Sequence, residues 1–269
     1  MHRTILPAIF ALTFSMGSYA QYIPLDEVTP SKQFPYISLV YDRIFNISAL
    51  DSFYLKLQQL KNKNEGNVSI VHIGDSHVKG YYYPGVVKNG LQQFFGRGGK
   101  DTAGLSYTII GQNGARFQTF NKSAAFWQLL PSLKADLYII SLGTNEAQGR
   151  SFNEKEFLTH VQYMFDSLKK ISPKATVLFT TVADSFLNRY PNRLMWSMNI
   201  SLYTWCASNN IPVWDLYRTT NGYGSAYNWI KSGLMNADGI HYTARAYQVQ
   251  GQLLLNAIAR GYNDFVSSY

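Results

Sequence analysis

The strongest constraint on the fold is an alternation of short apolar runs with longer amphipathic stretches. Five runs are rich in β-branched and aromatic residues, which is typical of parallel strands buried on both faces. They are residues 68–74, 105–111, 135–143, 175–183 and 211–217. Helical spacing of apolar residues marks 49–64, 153–171, 193–209 and 244–260. This order predicts an α/β fold with a parallel five-stranded sheet and helices on both faces.

Three segments of the chain differ in pattern. Residues 1–20 combine a weakly basic start, a short apolar run and small residues at Ser18 and Ala20, which predicts a cleaved signal peptide. Residues 21–65 are expected to wrap the domain and add one helix, and residues 66–262 carry the α/β pattern. No apolar run is long enough for a mature membrane helix. We therefore expect an exported bacterial protein, periplasmic or secreted, without stable membrane insertion.

Charge and cysteine content narrow the class of partner. The formal net charge is +8, but the basic residues are scattered, which makes nucleic acid a poor fit. A weak positive bias suits acidic surroundings such as an anionic cell wall or polysaccharide, although ordinary solubility explains it as well. The single cysteine, Cys206, lies in an apolar helical stretch and is expected to be buried. No cysteine and histidine cluster has metal-ligand spacing, and the sequence does not indicate an oligomeric state.

Residues with catalytic potential lie at four places, three of them directly after predicted strands and one before the last predicted helix. Gly-Asp-Ser-His at 74–77 follows the first strand, Gly-Gln-Asn-Gly-Ala-Arg at 111–116 the second, and Gly-Thr-Asn-Glu at 143–146 the third. Asp-Gly-Ile-His at 238–241 precedes the last helix. Because the carboxyl ends of parallel strands meet at one edge of a sheet, we expect these stretches to converge there.

A serine, a histidine and an aspartate of these stretches suit nucleophilic catalysis. A serine hydroxyl is a poor nucleophile until a base accepts its proton. His241 is the candidate base for Ser76, and Asp238 can hold the histidine tautomer that leaves Nε2 free. Asp215, near the end of the last strand, is the alternative partner but lacks the short spacing. Ser76 alone could be a helix cap, and the three partner motifs favour the nucleophile.

The same edge offers hydrogen-bond donors for the oxyanion of a tetrahedral intermediate. The candidates are the backbone N–H of Ser76 at a helix start, the backbone N–H of Gly114 and the side chain of Asn145. Gly111 is the alternative to Gly114, although Gly114 lies further into the loop.

Four more side chains are candidate substrate contacts: His77, Arg116, Gln148 and Trp229. His77 adjoins Ser76 and either orders the loop or touches the substrate. Trp229 belongs to an aromatic group before Asp238 that could stack on sugars or equally pack in the core. His72, in mid-strand, is expected to be a hydrogen-bonded core histidine.

In order and spacing, the four stretches resemble the four blocks of the SGNH hydrolases, also called the GDSL family, over residues 66–260. The resemblance implies a three-layer, flavodoxin-like fold and no metal or organic cofactor. The forms GDSH, NGA and GTNE are most similar to bacterial peptidoglycan and polysaccharide O-acetylesterases. His77 replaces the family's leucine and Glu146 replaces the aspartate of many members, and neither change touches a catalytic atom.

These features predict an exported serine esterase that removes small acyl groups, with acetyl expected, from an acylated carbohydrate. An O-acetyltransferase, a lysophospholipase or a thioesterase on the same triad stays open, because the sequence does not show which acceptor meets the acyl-enzyme. A carbohydrate-binding protein without turnover is the alternative from another class, and the intact set of site residues argues against it. The acyl group, the sugar and the regiochemistry are not determined at this level.

Overall fold

The computed structural model describes residues 21–25, 34, 36–99 and 102–268, so the expected signal peptide lies outside the described residues. The strands of these residues, in chain order, are β1 (Ile44–Phe45), β2 (Asn67–Gly74), β3 (Gly104–Gly111), β4 (Leu137–Ser141), β5 (Thr176–Thr180), β6 (Phe186–Leu187), β7 (Tyr190–Pro191) and β8 (Val213–Trp214). The central sheet has the spatial order β1-β8-β5-β4-β2-β3, and β6 and β7 form a separate hairpin.

Helices connect these strands. They are α1 (Asp51–Lys63), α2 (Ser76–Lys79), α3 (Tyr82–Phe95), α4 (Phe117–Asn121), α5 (Ala124–Leu133), α6 (Glu154–Ile171), α7 (Arg193–Ser208), α8 (Leu216–Thr219), α9 (Ser225–Lys231) and α10 (Ala244–Ser267). Short 3-10 turns span Leu39–Tyr41 and Ile47–Leu50. In the part of the chain that the structure describes, no helix combines the length and the apolar character that a membrane crossing needs.

The sheet is parallel except at one edge. Strands β2, β3, β4, β5 and β8 pair in parallel with their neighbours, and β1 pairs antiparallel with β8. The α/β class is confirmed, and the expected number of strands is corrected from five to six. The additional strand, Ile44–Phe45, is too short to show a period of two in the sequence.

Successive residues of the central strands pack into two different cores. Ile70 and Ile139 belong to one core, while their neighbours Val71 and Ile140 belong to the other. Because strand side chains alternate between the faces of a sheet, each core covers one face. The first core includes α1, α3 and α10, and the second includes α6 and α7. Burial on both faces explains why the strand runs are almost continuously apolar.

The last helix departs from the sequence expectation at its end. It continues to Ser267, past Gly261, although the helical pattern in the sequence ended at residue 260. A Cβ at Gly261 would collide with the hydroxyl of Tyr54 in α1. This glycine therefore allows two helices to approach closely instead of ending one of them. At the start of the helix, Thr243 caps it by accepting a hydrogen bond from the N–H of Ala246.

A buried carboxylate fixes the antiparallel edge strand. Asp42 is 1% exposed, accepts a hydrogen bond from Trp214 Nε1 at 3.0 Å and forms an ion pair with Arg260 of α10. Burial raises the pKa of Asp42 to about 6, although the Arg260 guanidinium acts in the opposite direction. One side chain thus connects the segment before β1, the strand β8 and the last helix.

The substitution Asp42→Ala is expected to lower the free energy of unfolding by about 2–4 kcal/mol, because it leaves a buried indole N–H and a guanidinium without their acceptor. Urea unfolding measures this loss. The matched control is Asp166→Ala on the exposed side of α6, for which we expect a change within about 0.5 kcal/mol. Equal losses for both variants would show that Asp42 has no anchoring role.

Candidate active site

Ser76 lies at a sharp turn between β2 and α2. Gly74 ends the strand, and a Cβ at this position would collide with the side chain of Val78 in the helix. Asp75 caps the helix, since its Oδ1 accepts a hydrogen bond from the backbone N–H of His77 at 2.9 Å. A glycine and an acidic cap therefore place Ser76 at the first residue of a helix, where its side chain is partly exposed.

The structure brings Ser76, His241 and Asp238 into one hydrogen-bonded chain. Ser76 Oγ lies 2.9 Å from His241 Nε2, and His241 Nδ1 lies 2.8 Å from Asp238 Oδ2. The other oxygen of Asp238 accepts the backbone N–H groups of Ile240 at 2.8 Å and His241 at 2.9 Å. A short turn before α10 thus holds both the carboxylate and the imidazole.

The environment of Asp238 keeps its carboxylate ionised. Partial burial by itself would raise the pKa of Asp238. The hydrogen bonds from the backbone of His241 and Ile240, together with the His241 ring, outweigh burial and hold this pKa below its usual value. An ionised carboxylate accepts the N–H at His241 Nδ1, so that Nε2 is free to accept a proton from the serine.

The alternative partner of His241, Asp215, is engaged elsewhere. It accepts hydrogen bonds from Thr181 Oγ1 at 2.9 Å and from the backbone N–H of Arg218 at 3.1 Å, and it forms an ion pair with the Arg218 guanidinium. These contacts place Asp215 at the cap of α8 and make Asp238 the partner of the histidine.

Gly114 lies in an open loop after β3. Its φ of +69° is in the left-handed region, and a Cβ there would meet no atom within 4 Å. Among the described residues, no hydrogen bond uses the backbone N–H of Gly114 or of Ser76. Gly111, the alternative donor, is packed instead, because a Cβ at this position would collide with the backbone of Lys79.

Asn145 connects two of the four sequence blocks. Its Nδ2 donates to the backbone oxygen of Ala115 at 3.0 Å and to Asp75 Oδ2 at 3.4 Å. The amide therefore lies between the loop of Gly114 and the turn of Ser76. The long contact with Asp75 is the weaker of the two and is the one that a stronger acceptor can replace.

Glu146 also connects its own segment to the chain just after the Gly114 loop. The sequence analysis missed this contact. Glu146 Oε1 accepts the backbone N–H of Phe117 at 2.7 Å, while Oε2 is buried and has no partner among the described residues. Burial raises the pKa of Glu146 to about 7. Two features of the sequence could have indicated a role for Glu146. They are its position directly after Asn145 and its departure from the family's aspartate.

His77 lies partly buried beside the catalytic candidates. Its ring stacks on that of His241 with centroids 5.2 Å apart, its Nδ1 lies 2.8 Å from the hydroxyl of Tyr247, and its Nε2 is buried. Burial lowers the pKa of His77, and proximity to His241 acts in the same direction. The ring is thus placed to order the loop, and its nitrogens are not open to a substrate.

The other candidate substrate contacts have different environments. Arg116 is exposed beside the Gly114 loop. Gln148 donates both amide hydrogens within the protein, to Ser185 Oγ at 2.8 Å and to the backbone oxygen of Phe186 at 3.0 Å. Trp229 is 0% exposed, so of the two alternatives for this ring core packing is right and contact with a substrate is wrong. The aromatic pattern did not decide between them because rings suitable for sugar stacking are also rings suitable for a core.

Two further sequence expectations concern buried residues, and both are confirmed. His72 Nδ1 lies 2.9 Å from the Tyr107 hydroxyl and Nε2 lies 2.9 Å from Ser141 Oγ. Burial lowers the pKa of His72 to about 3. Cys206 is fully buried. Within the described ranges, no group of three histidine, cysteine or acidic side chains is arranged to hold a metal ion.

The raised pKa of Glu146 predicts a pH-dependent stability. The folded carboxyl binds its proton more tightly than the unfolded one, so this stabilisation is present at low pH and is lost as the pH rises through about 7. Relative to Glu146→Gln, the wild type should lose on the order of 3 kcal/mol of unfolding free energy from about pH 4.5 to 8. Urea unfolding across this range measures the difference. The exposed variant Glu65→Gln is the control, and parallel curves for wild type and Glu146→Gln would contradict the prediction.

Comparison with solved structures relates this geometry to known folds. A peptidoglycan O-acetylesterase superposes with a TM-score of 0.73 at 15% identity, covering 84% of this chain and 99% of that one. A lipase/acylhydrolase from Enterococcus faecalis gives 0.53 at 19% identity, covering 72% and 96%. An acetyl-xylooligosaccharide esterase from Geobacillus, crystallised as a mutant, gives 0.53 at 16% identity, covering 71% and 94%. At these identities the similarity shows the fold.

Sequence comparison supplies the family. No curated protein matches the chain. The model of the GDSL-like lipase/acylhydrolase family matches residues 72–249. This range contains the turn of Ser76, the loops of Gly114 and Asn145, and the segment of Asp238 and His241. This chain therefore belongs to the GDSL-like lipase/acylhydrolase family.

Proposed function

We propose that this protein is a serine esterase in which Ser76 is the nucleophile, His241 the general base and acid, and Asp238 the residue that orients His241. The observation that carries the proposal is the continuous chain of contacts, 2.9 Å from serine to histidine and 2.8 Å from histidine to aspartate. These are the distances that proton transfer between a nucleophile and its base requires.

The reaction begins when Ser76 Oγ attacks the ester carbonyl and its proton passes to His241 Nε2. The charge that develops on the imidazole is stabilised by the ionised Asp238. Collapse of the tetrahedral intermediate breaks the ester bond, and His241 returns the proton to the departing alkoxide. Water then attacks the acyl-serine by the same route in reverse and releases the acid and the free Ser76.

The oxyanion of each tetrahedral intermediate needs donors that are already in place. The backbone N–H groups of Ser76 and Gly114 are without partners in the described structure, and the Asn145 amide lies between their two loops. Asn145 can exchange its 3.4 Å contact with Asp75 for a shorter one with the oxyanion. The three donors together would stabilise the transition state more than the ground state.

The proposed substrate is an acylated carbohydrate, with acetyl as the acyl group. Two structural neighbours are named for such substrates, peptidoglycan in one case and acetyl-xylooligosaccharides in the other. The formal net charge of the full sequence is +8 and loses only Arg3 with residues 1–20, so the positive charge that remains suits an acidic polymer. Export through a signal peptide at residues 1–20 would bring the protein to such polymers and is part of the proposal.

Acetate release from O-acetylated peptidoglycan and acetylated xylan, measured side by side, tests the proposal. The wild type should release acetate from at least one polymer, and Ser76→Ala should release none. If neither polymer nor a small aryl acetate is turned over, the esterase proposal fails. Recovery of the acetyl group on an added sugar instead of as free acetate would identify a transferase on the same triad.

Substitution can test whether Asp238, and not Asp215, orients His241. Asp238→Asn should lower kcat by about 10²- to 10⁴-fold with little change in KM, because the amide favours the wrong histidine tautomer. Asp215→Asn is the matched control and should retain kcat within about threefold, since Asp215 does not contact His241. Steady-state kinetics with an aryl acetate measure both. A larger loss for Asp215→Asn than for Asp238→Asn would refute the assignment.

Asn145→Ala should lower kcat by about a hundredfold or more, since it removes one oxyanion donor, and should leave KM within a few-fold. Gln148→Ala is the control for disturbance of the loop, because Gln148 ties the same segment to Ser185 and Phe186 without facing the oxyanion. Similar kcat losses in both variants would assign Asn145 a structural role only.

A further inference from the structure

A cavity of about 170 Å³ opens beside the two loops that carry the proposed oxyanion donors. Arg116 and Glu146 line it, and these residues follow Gly114 and Asn145 closely in the chain. Its volume is several times the roughly 30 Å³ of a water molecule, so it has room for part of a larger ligand. The start of α6 forms the opposite wall.

A residue that lines this cavity has a buried acceptor without a partner. Glu146 Oε1 is bound by the backbone N–H of Phe117, but Oε2 has no hydrogen-bond partner in the described structure although it is buried. Buried polar atoms are almost always hydrogen bonded, so an unpaired carboxylate oxygen on a residue that lines a cavity points to a ligand donor. The 2.7 Å contact with Phe117 holds the carboxyl in this orientation.

The remaining walls define the chemistry of the ligand. Phe152 lines the cavity and is only half-buried, and its ring is supported by that of Phe157 at a centroid distance of 5.3 Å. Glu156 adds a second carboxylate and His160 a ring with polar nitrogens. Two carboxylates outnumber the one cation in the described lining, Arg116, and so disfavour a phosphate, while an acyl chain would leave Glu146 unpaired. A ring with an apolar face and hydroxyl or amide donors at its rim fits both walls.

We propose that this cavity, the Glu146 pocket, is a glycan subsite. A neutral sugar ring of the substrate lies there with a hydroxyl or amide N–H donating to Glu146 Oε2 and with its apolar face against Phe152. This inference rests on the proposed function, which supplies the glycan, and it adds the place where the glycan is held. It favours a carbohydrate ester over a lysophospholipid as the substrate of Ser76.

The pocket also connects binding with the oxyanion loop. Glu146 holds Phe117, and its neighbour Asn145 holds Ala115 at 3.0 Å, so the two adjacent residues fix the chain directly after Gly114. A sugar bonded to Glu146 Oε2 would reinforce this clamp. The glycan part of a substrate would thereby support the donor at Gly114.

Binding to an inactive protein tests the pocket without turnover. In the Ser76→Ala background, oligosaccharides of N-acetylglucosamine and of xylose are titrated by calorimetry, and amide chemical shifts are followed by NMR. At least one sugar should bind and shift the amide signals of Phe117 and Phe152. Adding Glu146→Gln should weaken the binding of that sugar by about tenfold or more. Gln retains the hydrogen bond to Phe117 but presents an N–H donor to the donor of the ligand.

Glu154→Gln is the matched control. Glu154 lies at the start of α6, the helix that contributes to the wall of the cavity, but it does not line the cavity itself. Its carboxylate accepts a hydrogen bond from Ser201 Oγ at 2.7 Å. Its substitution should leave the dissociation constant within about twofold. The proposal would be overturned by any of three results. These are equal sugar binding in the Glu146 and Glu154 variants, chemical-shift changes confined to other surfaces, and no binding of either sugar.

The outcome for the pocket is distinguishable from the outcome for the esterase. Sugar binding that depends on Glu146, together with a wild type that releases no acyl group, would support the subsite and refute the esterase. Acetate release that depends on Ser76, together with sugar binding that does not depend on Glu146, would support the esterase and refute the subsite.

Discussion

The buried carboxylate of Asp75 is the interaction on which the proposed active site depends. One of its oxygens accepts the backbone N–H of His77 and so sets the turn that presents Ser76. Its other oxygen meets Asn145, which in turn binds the backbone of Ala115. Asp75 and Asn145 together thus connect the three strand ends that carry the nucleophile and the proposed oxyanion donors. Because these strands are parallel neighbours, Asp75 reaches Asn145 directly and is connected to the Gly114 loop through it.

Burial separates the histidines near this edge into different roles. Burial lowers the pKa of His72 to about 3 and lowers the pKa of His77, so both rings favour their neutral forms. The side chain of His241 is 39% exposed and bonded to the ionised Asp238, which suits a group that takes up and returns a proton. A neutral His77 stacked on His241 supports this ring without adding a charge beside it.

Asn145 and Glu146 divide two tasks between adjacent positions. Asn145 faces the turn of Ser76 and the loop backbone, where an amide donor suits an oxyanion. Glu146 holds Phe117 with one oxygen and leaves the other buried and unpaired beside a cavity, where an acceptor suits a sugar. Chemistry and glycan recognition would then share one loop. This arrangement gives a physical reason for a glutamate, whose longer side chain reaches both the backbone and the cavity.

The sequence by itself determined the α/β class, the main strands and the identity of Ser76, His241 and Asp238 as neighbours in space. Strand ends in a parallel sheet share one edge, so local motifs were sufficient to place them together. Only the tertiary structure decided the edge strand Ile44–Phe45, the burial of Trp229 and the unpaired oxygen of Glu146. Each of these depends on contacts between residues far apart in the chain, which a local pattern does not contain.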